Sequence, residues 1–262
     1  MDGLTGRRHQ ARCTENRGDV MTTLVVGLDA LAALRDAGGA RDPDPVVAAA
    51  LAELAGAGGV RVTCGRERGG IRERDVRVLR EVVRTALLLR MPPLDEYLKL
   101  ALAVRPDVVT LTPGEREGLG AERGLDVEDR RPELLPFIEP LAGSGILVGI
   151  LVDPLPNQVK AAQRAGAGAV LLHTGRFCWA ANDASRTVEF EALTNAVKTA
   201  HRLGLVVHAG GGLAYHSAAT VAELAEVTAV DLGHSLIARA ALVGMGEAVR
   251  ELRLLVQSGV GR

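Results

Sequence analysis

Two glycine-containing turns near the C-terminal end of the chain have the residue types that bind an anion. Residues 210–213 (Gly-Gly-Gly-Leu) follow the apolar run 205–207, and residues 232–234 (Leu-Gly-His) end the apolar run 227–232. Glycine after a parallel strand lets the backbone turn sharply and present its N–H groups to an anion. On the last two strands of a barrel, such turns form the usual phosphate site of that fold. The pattern predicts a site for a phosphorylated small molecule, with contacts from Gly211, Gly212, Gly233 and His234.

Short apolar runs typical of buried strands alternate with helical patterns from residue 21 onward. Eight repeats of this alternation favour a closed parallel barrel over an open sheet. A doubly wound sheet usually carries a Gly-x-Gly-x-x-Gly turn after its first strand, which residues 27–29 (Gly-Leu-Asp) do not supply. The sequence predicts an α/β fold, a (β/α)8 TIM barrel with extra helices. Its predicted strands are residues 24–27, 59–63, 86–90, 107–111, 146–152, 169–173, 205–207 and 227–232.

Helical patterns fill the segments between the predicted strands. Asp44 and Asn157 are typical of helix starts, because a side-chain oxygen there can accept hydrogen bonds from free N–H groups. Glycine is typical of helix stops, and we expect stops at Gly58, Gly145, Gly166 and Gly204. The predicted helices are residues 45–57, 74–84, 94–104, 131–142, 156–165, 188–203, 220–226, 236–243 and 247–256.

Composition and length limit the class of protein. The 262 residues suit one α/β barrel, and 47% apolar residues provide for a large core. A formal net charge of −1 gives no support for nucleic-acid or membrane binding, and no apolar run reaches the length of a membrane span. The three cysteines have no paired spacing, which indicates a reduced, cytoplasmic setting rather than a disulfide framework.

The first twenty residues differ from the rest of the chain. They are polar and Arg-rich and lack the apolar segment of a signal peptide. We interpret residues 1–20 as a disordered extension or as the product of an upstream start codon; a basic docking tail is the alternative. Residues 21–262 are then predicted to form a single (β/α)8 barrel domain.

Six ordered segments resemble the pyridoxine 5′-phosphate synthase family. They are residues 41–46, 71–80, 122–127, 173–175 (HTG), 209–216 (AGGGLAYH) and 233–240 (GHSLIARA). The resemblance implies a (β/α)8 barrel, often assembled into an octamer, that condenses 1-deoxy-D-xylulose 5-phosphate with 3-amino-2-oxopropyl phosphate. It also implies no metal and no organic cofactor. We therefore expect a phosphorylated small-molecule substrate and a homo-oligomer of between two and eight subunits.

The chain departs from this family at the positions that should transfer protons. The resemblance places catalytic groups of the family, a histidine, a glutamate and a second histidine, at Thr63, Arg90 and Gly211. Threonine and glycine do not act as bases near neutral pH, and arginine stays protonated. Loss of one proton-transfer group typically costs about 10² to 10⁴ in rate, so loss of all three leaves little of the family reaction without substitutes.

Substrate-binding positions of the family are also altered. The first-strand motif of the family keeps only Asp29 here, because its asparagine and histidine are missing. A substrate-binding arginine of the first loop is replaced by Gly38, with Arg35 one turn away. The loop after the second strand offers arginines in a shifted frame, among them Arg66. We predict substrate contacts from Asp29, Arg35 and Arg66.

Three residues are candidates for the missing catalytic groups, each with a structural alternative. Arg90 either binds an anionic substrate group or pairs with Asp29 or Glu122. His173 either lines the site or is a buried, hydrogen-bonded histidine. His208 either replaces the lost imidazole or faces the helices.

The aromatic residues within 177–179 (Phe-Cys-Trp) either form an apolar wall over the site or make an oligomer contact.

Three functions are compatible with this pattern. One is a working member of the family with relocated acid–base groups. Another is a divergent member that binds a phosphorylated ketone or sugar and catalyses a different condensation or isomerisation. The third is a non-catalytic barrel that serves as a binding, regulatory or oligomeric scaffold. The lost proton-transfer groups and the retained phosphate turns together favour the divergent member.

Overall fold

The computed structural model describes residues 22–65, 70–113 and 123–258 and contains a closed barrel of eight parallel strands. Each strand pairs with the next in the chain, and the eighth pairs with the first, as in the (β/α)8 fold. The predicted fold is confirmed. The strands are β1 (Thr23–Gly27), β2 (Gly59–Thr63), β3 (Ala86–Met91), β4 (Val108–Leu111), β5 (Leu147–Val152), β6 (Ala169–His173), β7 (Val206–Gly210) and β8 (Ala229–Leu232).

Helices cover the outside of the barrel, and two of them were not predicted from the sequence. One follows β1 with a single residue between them, and the other is a single turn after β6. The helices are α1 (Asp29–Ala37), α2 (Pro45–Leu54), α3 (Glu73–Val82), α4 (Asp95–Val104), α5 (Val127–Gly143), α6 (Pro156–Arg164), α7 (Gly175–Cys178), α8 (Asp183–Arg202), α9 (Tyr215–Ala222), α10 (His234–Val243) and α11 (Met245–Ser258). No described helix is long and apolar enough to cross a membrane.

The helix boundaries test the predicted start and stop residues. Asp44 caps α2, because its Oδ1 accepts a hydrogen bond from the Val46 N–H at 2.8 Å. The helix start predicted near Asn157 is confirmed, since α6 begins at Pro156, but the expected cap is wrong, because the Asn157 amide donates to Glu128 instead. The stop after α2 also differs, since the glycine with positive φ is Gly56 rather than Gly58. The other three predicted stops have positive φ and follow helix ends, at Gly145, Gly166 and Gly204.

Side chains alternate between two environments along each strand. The outward set packs between the barrel and the helices, as Val26 and Leu89 do. The inward set, towards the amino-terminal ends of the strands, forms a separate apolar cluster of Val25, Ala86, Leu88, Val108 and Ala229. Two residues further along several strands, the inward positions become polar, at Arg61, Arg90, Thr110, His208 and Asp231. The carboxyl-terminal half of the barrel interior is therefore a charged and polar site above an apolar floor.

Candidate active site

Asp231 lies at the centre of the charged cluster inside the barrel. Arg61 Nε donates to both of its carboxylate oxygens, at 3.2 and 3.1 Å, and Arg90 Nη2 donates to Oδ2 at 2.7 Å. All three side chains are at most 6% exposed. Burial alone raises the pKa of Asp231, but the two guanidinium groups more than offset this, and the pKa lies below its usual value. Asp231 is therefore ionised and holds two buried cations in place.

Asp29 extends the same network at the end of β1. It forms an ion pair with Arg61 Nη1, and its Oδ1 accepts the backbone N–H of Thr63 at 2.7 Å. Its Oδ2 accepts the Thr63 hydroxyl at 3.0 Å. The resemblance implies a catalytic histidine at the position of Thr63. Thr63 instead donates hydrogen bonds to Asp29, a predicted substrate-binding residue. The formal charges of Asp29, Asp231, Arg61 and Arg90 balance within the site.

Arg90 pairs with a carboxylate that was not among its expected partners. The sequence offered Asp29 or Glu122, whereas the structure shows the bond to Asp231; Glu122 lies outside the described residues. Sequence reasoning also missed Arg61. The signal was present, because a charged residue at an inward position of an apolar strand must find a partner across the barrel. Which partner it finds depends on the strand register, which a single sequence does not specify.

His208 faces the barrel interior, which decides between its two possible orientations. Its neighbours Val207 and Ala209 pack in the outer core, and its charge state is affected by Asp231 and Arg90. Burial lowers the pKa of His208 to about 4. Within the described residues, its Nε2 has no hydrogen-bond partner. At neutral pH this imidazole is uncharged and has a free ring nitrogen inside the site.

His173 ends β6 and lies against the glycine turn after β7. A Cβ atom at Gly211 would overlap with the imidazole ring of His173. The Thr174 hydroxyl donates to the Gly211 carbonyl at 2.6 Å and so ties the end of β6 to this turn. Asp153 Oδ1 lies 4.0 Å from His173 Nδ1. His173 therefore occupies the space that a side chain at position 211 would need.

The first of the two predicted phosphate turns has the backbone conformation that glycine favours. Gly211 and Gly212 have φ of 83° and 85°, in the region that favours glycine. Gly233 directly precedes α10, and no described side chain caps the free N–H groups at the start of that helix. The Ser235 hydroxyl donates to the Leu213 carbonyl at 2.7 Å and joins the two turns. An anion at this point would meet the positive end of the α10 dipole.

Arg61 lies directly beneath the second turn. A Cβ atom at Gly27 would overlap with Arg61 Nη2, and one at Gly233 would lie 2.9 Å from it. The guanidinium is therefore held between the ends of β1 and β8, against backbone without side chains. It places a positive charge next to the predicted phosphate contacts, although Asp29 and Asp231 already balance it.

The remaining predicted site residues lie apart from this cluster or outside the described residues. Arg35 is buried at the end of α1 and donates to Asp75 at 2.9 Å and to the Gly70 carbonyl at 2.8 Å. These bonds tie α1 to the start of α3, and a substrate contact for Arg35 stays a prediction. Arg66 lies outside the described residues. In the same loop region, burial raises the pKa of the Cys64 thiol to about 12, so it is protonated.

Comparison with known proteins identifies the family of this barrel. The family model described as pyridoxal phosphate biosynthesis protein PdxJ matches residues 24–258. The chain belongs to the PdxJ family. A pyridoxine 5′-phosphate synthase from Syntrophotalea carbinolica is 48% identical over 236 residues, which cover 90% of this chain and 99% of the relative. One from a Synechococcus strain is 46% identical over 233 residues, covering 89% and 98%.

Solved structures that resemble this member of the PdxJ family support the barrel fold. A tryptophan synthase structure from M. tuberculosis superimposes with a TM-score of 0.64 at 15% identity, covering 97% of this chain and 98% of that chain. The thiamine phosphate pyrophosphorylase of Pyrococcus furiosus gives a TM-score of 0.58 at 18% identity, covering 92% and 98%. At these identities the likeness concerns the fold alone.

In the described part of the chain, no three His, Cys, Asp or Glu side chains come together as a metal site.

Proposed function

We propose that this protein is a divergent pyridoxine 5′-phosphate synthase-like barrel, which binds a phosphorylated small molecule and has an altered substrate or reaction. The nearest describable activity is the condensation of 3-amino-2-oxopropyl phosphate with 1-deoxy-D-xylulose 5-phosphate to pyridoxine 5′-phosphate. One observation carries the proposal: Thr63 and Arg90, at two positions where the resemblance implies proton-transfer groups, belong to a buried ion-pair network with Asp29 and Asp231. The glycine turns next to this network support phosphate binding, because the first has glycines with positive φ and the second precedes the uncapped start of α10.

Phosphate binding would use backbone donors more than side chains. The N–H groups of Gly212 and His234 belong to turns that the Ser235 hydroxyl joins. The uncapped start of α10 adds the helix dipole, and Arg61 adds a nearby positive charge. Backbone donors of this kind recognise phosphate with little regard to the rest of the molecule, which is compatible with a changed substrate.

His173 is our first candidate for proton transfer. It ends β6 beside the predicted phosphate turn, and Asp153 Oδ1 lies 4.0 Å from its Nδ1. An imidazole in this position could move a proton to or from a carbon or oxygen of a ligand held by the turn. His208 is uncharged and faces the interior near Asp231, so it is the second candidate.

The alternative is a non-catalytic family member that acts as a binding, regulatory or oligomeric scaffold. The ion pairs among the described residues inside the barrel favour it, because Arg61 and Arg90 already have carboxylate partners and an anionic substrate would compete with these. We further propose a cytoplasmic homo-oligomer that binds neither nucleic acid nor membranes. An apolar stripe on the outer face of α2, formed by Val47, Leu51 and Leu54, supports self-association.

A turnover assay tests the proposal. Purified protein is mixed with 1-deoxy-D-xylulose 5-phosphate and 3-amino-2-oxopropyl phosphate, and pyridoxine 5′-phosphate is followed by mass spectrometry. We expect no product above the no-enzyme control, together with calorimetric binding of phosphorylated ligands. Product that is lost on His173→Ala or His208→Ala would instead show relocated acid–base groups. Absence of both turnover and phosphate binding would contradict the proposed function and favour the non-catalytic scaffold.

A further inference from the structure

Trp179 follows α7 and lies beside the glycine turn after β7. A Cβ atom at Gly212 would lie 2.6 Å from Cζ2 of the indole, and one at Gly175 would lie 2.5 Å from Cζ3. Both distances are too short for real side chains, so the ring needs glycine at both positions. The indole is therefore held in a slot between two backbone segments that lack side chains.

The indole also contacts the candidate proton-transfer residue. The ring centroids of Trp179 and His173 are 6.1 Å apart with an interplanar angle of 60°, an edge-to-face arrangement. His173 in turn lies against Gly211. Indole, imidazole and glycine turn form one continuous wall at the ends of β6 and β7.

This wall keeps a large aromatic surface in contact with solvent. Trp179 is 51% exposed, whereas Phe177, two residues earlier, is buried and packs on Phe190 with ring centroids 5.2 Å apart. Phe177 anchors the segment, and Trp179 remains outside the core. A rigid aromatic ring left half-exposed beside a binding turn offers contact area to a ligand at low entropic cost.

We propose that Trp179 is a specificity-determining residue, which selects ligands whose phosphate is attached to a flat, conjugated ring. The proposal rests on the proposed function, because the phosphate is held by the turn on which the indole lies. A phosphate at the Gly212 N–H places the attached group within stacking distance of the indole, where centroids of aromatic pairs lie about 4.5–7 Å apart. An aliphatic phosphate gains far less from this surface.

Two probes and a small set of variants test the selection. The chain has one tryptophan, so tryptophan fluorescence, excited selectively over the two tyrosines, reports on position 179 alone. Calorimetry then measures binding of pyridoxine 5′-phosphate and of glycerol 3-phosphate. We expect Trp179→Leu to weaken pyridoxine 5′-phosphate binding by roughly three- to tenfold, the range of an aromatic pair, and to leave glycerol 3-phosphate within about twofold. Trp179→Phe keeps most of the preference.

The matched control is Phe137→Leu, which removes an aromatic ring from α5 and leaves the wall beside Gly212 and its Phe177 anchor in place. It is expected to leave the ratio of the two affinities unchanged. Equal weakening of both probes by Trp179→Leu, or no weakening, overturns the proposal while the proposed function stands. Wild-type protein that binds neither probe overturns the proposed phosphate site itself. A lower molar mass of Trp179→Leu with an unchanged affinity ratio identifies the indole as an oligomer contact and also overturns the proposal.

Discussion

At the scale of single residues, the guanidinium of Arg61 determines which side chains its neighbours can carry. Gly27 and Gly233 both face it so closely that a methyl group would displace it. Arg61 also holds Asp29 and Asp231, so any displacement affects both ends of the ion-pair network. Glycine at these positions is therefore required by packing and charge together, beyond the needs of a turn.

We predict that Gly27→Ala lowers the free energy of unfolding by about 1–3 kcal/mol, the usual cost of overpacking a core. The added Cβ overlaps with Arg61 Nη2 and pushes it away from its carboxylates. Denaturant unfolding measures the change. Gly143→Ala is the control, because a Cβ at Gly143 meets nothing within 4 Å. Equal stability of the two variants would show that Arg61 can move aside freely.

His208 predicts a pH dependence of stability. Its pKa is about 4 in the folded protein against a usual value of 6.5, so the unfolded chain binds the proton more readily. Stability is then fully present above pH 6.5 and decreases as the pH falls toward 4, by up to about 3 kcal/mol. Urea unfolding across this range should show a smaller loss for His208→Gln than for the wild type. The same change at His216, which is exposed, is the matched control for the loss of an imidazole.

Among the individual site residues, the sequence predicted where the chain turns at glycine, whereas phosphate binding by these turns stays a prediction. Gly211, Gly212 and Gly233 lie at the expected turns, because glycine directly after a buried strand usually marks a sharp change of backbone direction. Arg61 and Asp231 were missed, since they are 170 positions apart and meet only through strand register and barrel closure. Charge pairing across a barrel is a tertiary property, and an isolated strand pattern does not contain it.

At the scale of elements, the turn after β7 and the start of α10 act as one unit, joined by the Ser235 hydroxyl. We predict that Gly212→Asp abolishes measurable binding of phosphorylated ligands, because it places a carboxylate beside the backbone donors. Gly244→Asp is the control, since Gly244 has the same φ of 85° but lies at the end of α10 with open space around it. Calorimetry with pyridoxine 5′-phosphate compares the two. If Gly212→Asp retained the affinity, phosphate would have to bind at another place in the protein.

The elements themselves were largely predictable. All eight strands were found, because parallel strands buried on both faces give continuous apolar runs. Helix α1 was missed because it starts one residue after β1, so no polar linker or turn residue separates the two patterns. Helix α7 was missed because four residues are too few to show a helical period.

At the scale of the whole molecule, the outer face of α2 predicts self-association. Val47, Leu51 and Leu54 are 58%, 45% and 85% exposed at helical spacing, an arrangement that costs free energy in a monomer. The double variant Leu51→Glu/Leu54→Glu should lower the molar mass measured by light scattering. Val188→Glu, at another exposed apolar residue, should not. An unchanged mass in the double variant would exclude α2 from the subunit interface.

The tight packing around Arg61 and His173 limits how the interior of this barrel could be redesigned. A histidine introduced at position 211 would collide with His173, and any side chain at position 27 would collide with Arg61. A carboxylate at position 90 would face Asp231 instead of pairing with it. Each single substitution toward an acid–base site is thus opposed by a neighbouring side chain in its present position. Building a histidine at position 211 and a carboxylate at position 90 into this barrel would therefore need several simultaneous substitutions, in the neighbours as well as at the two positions.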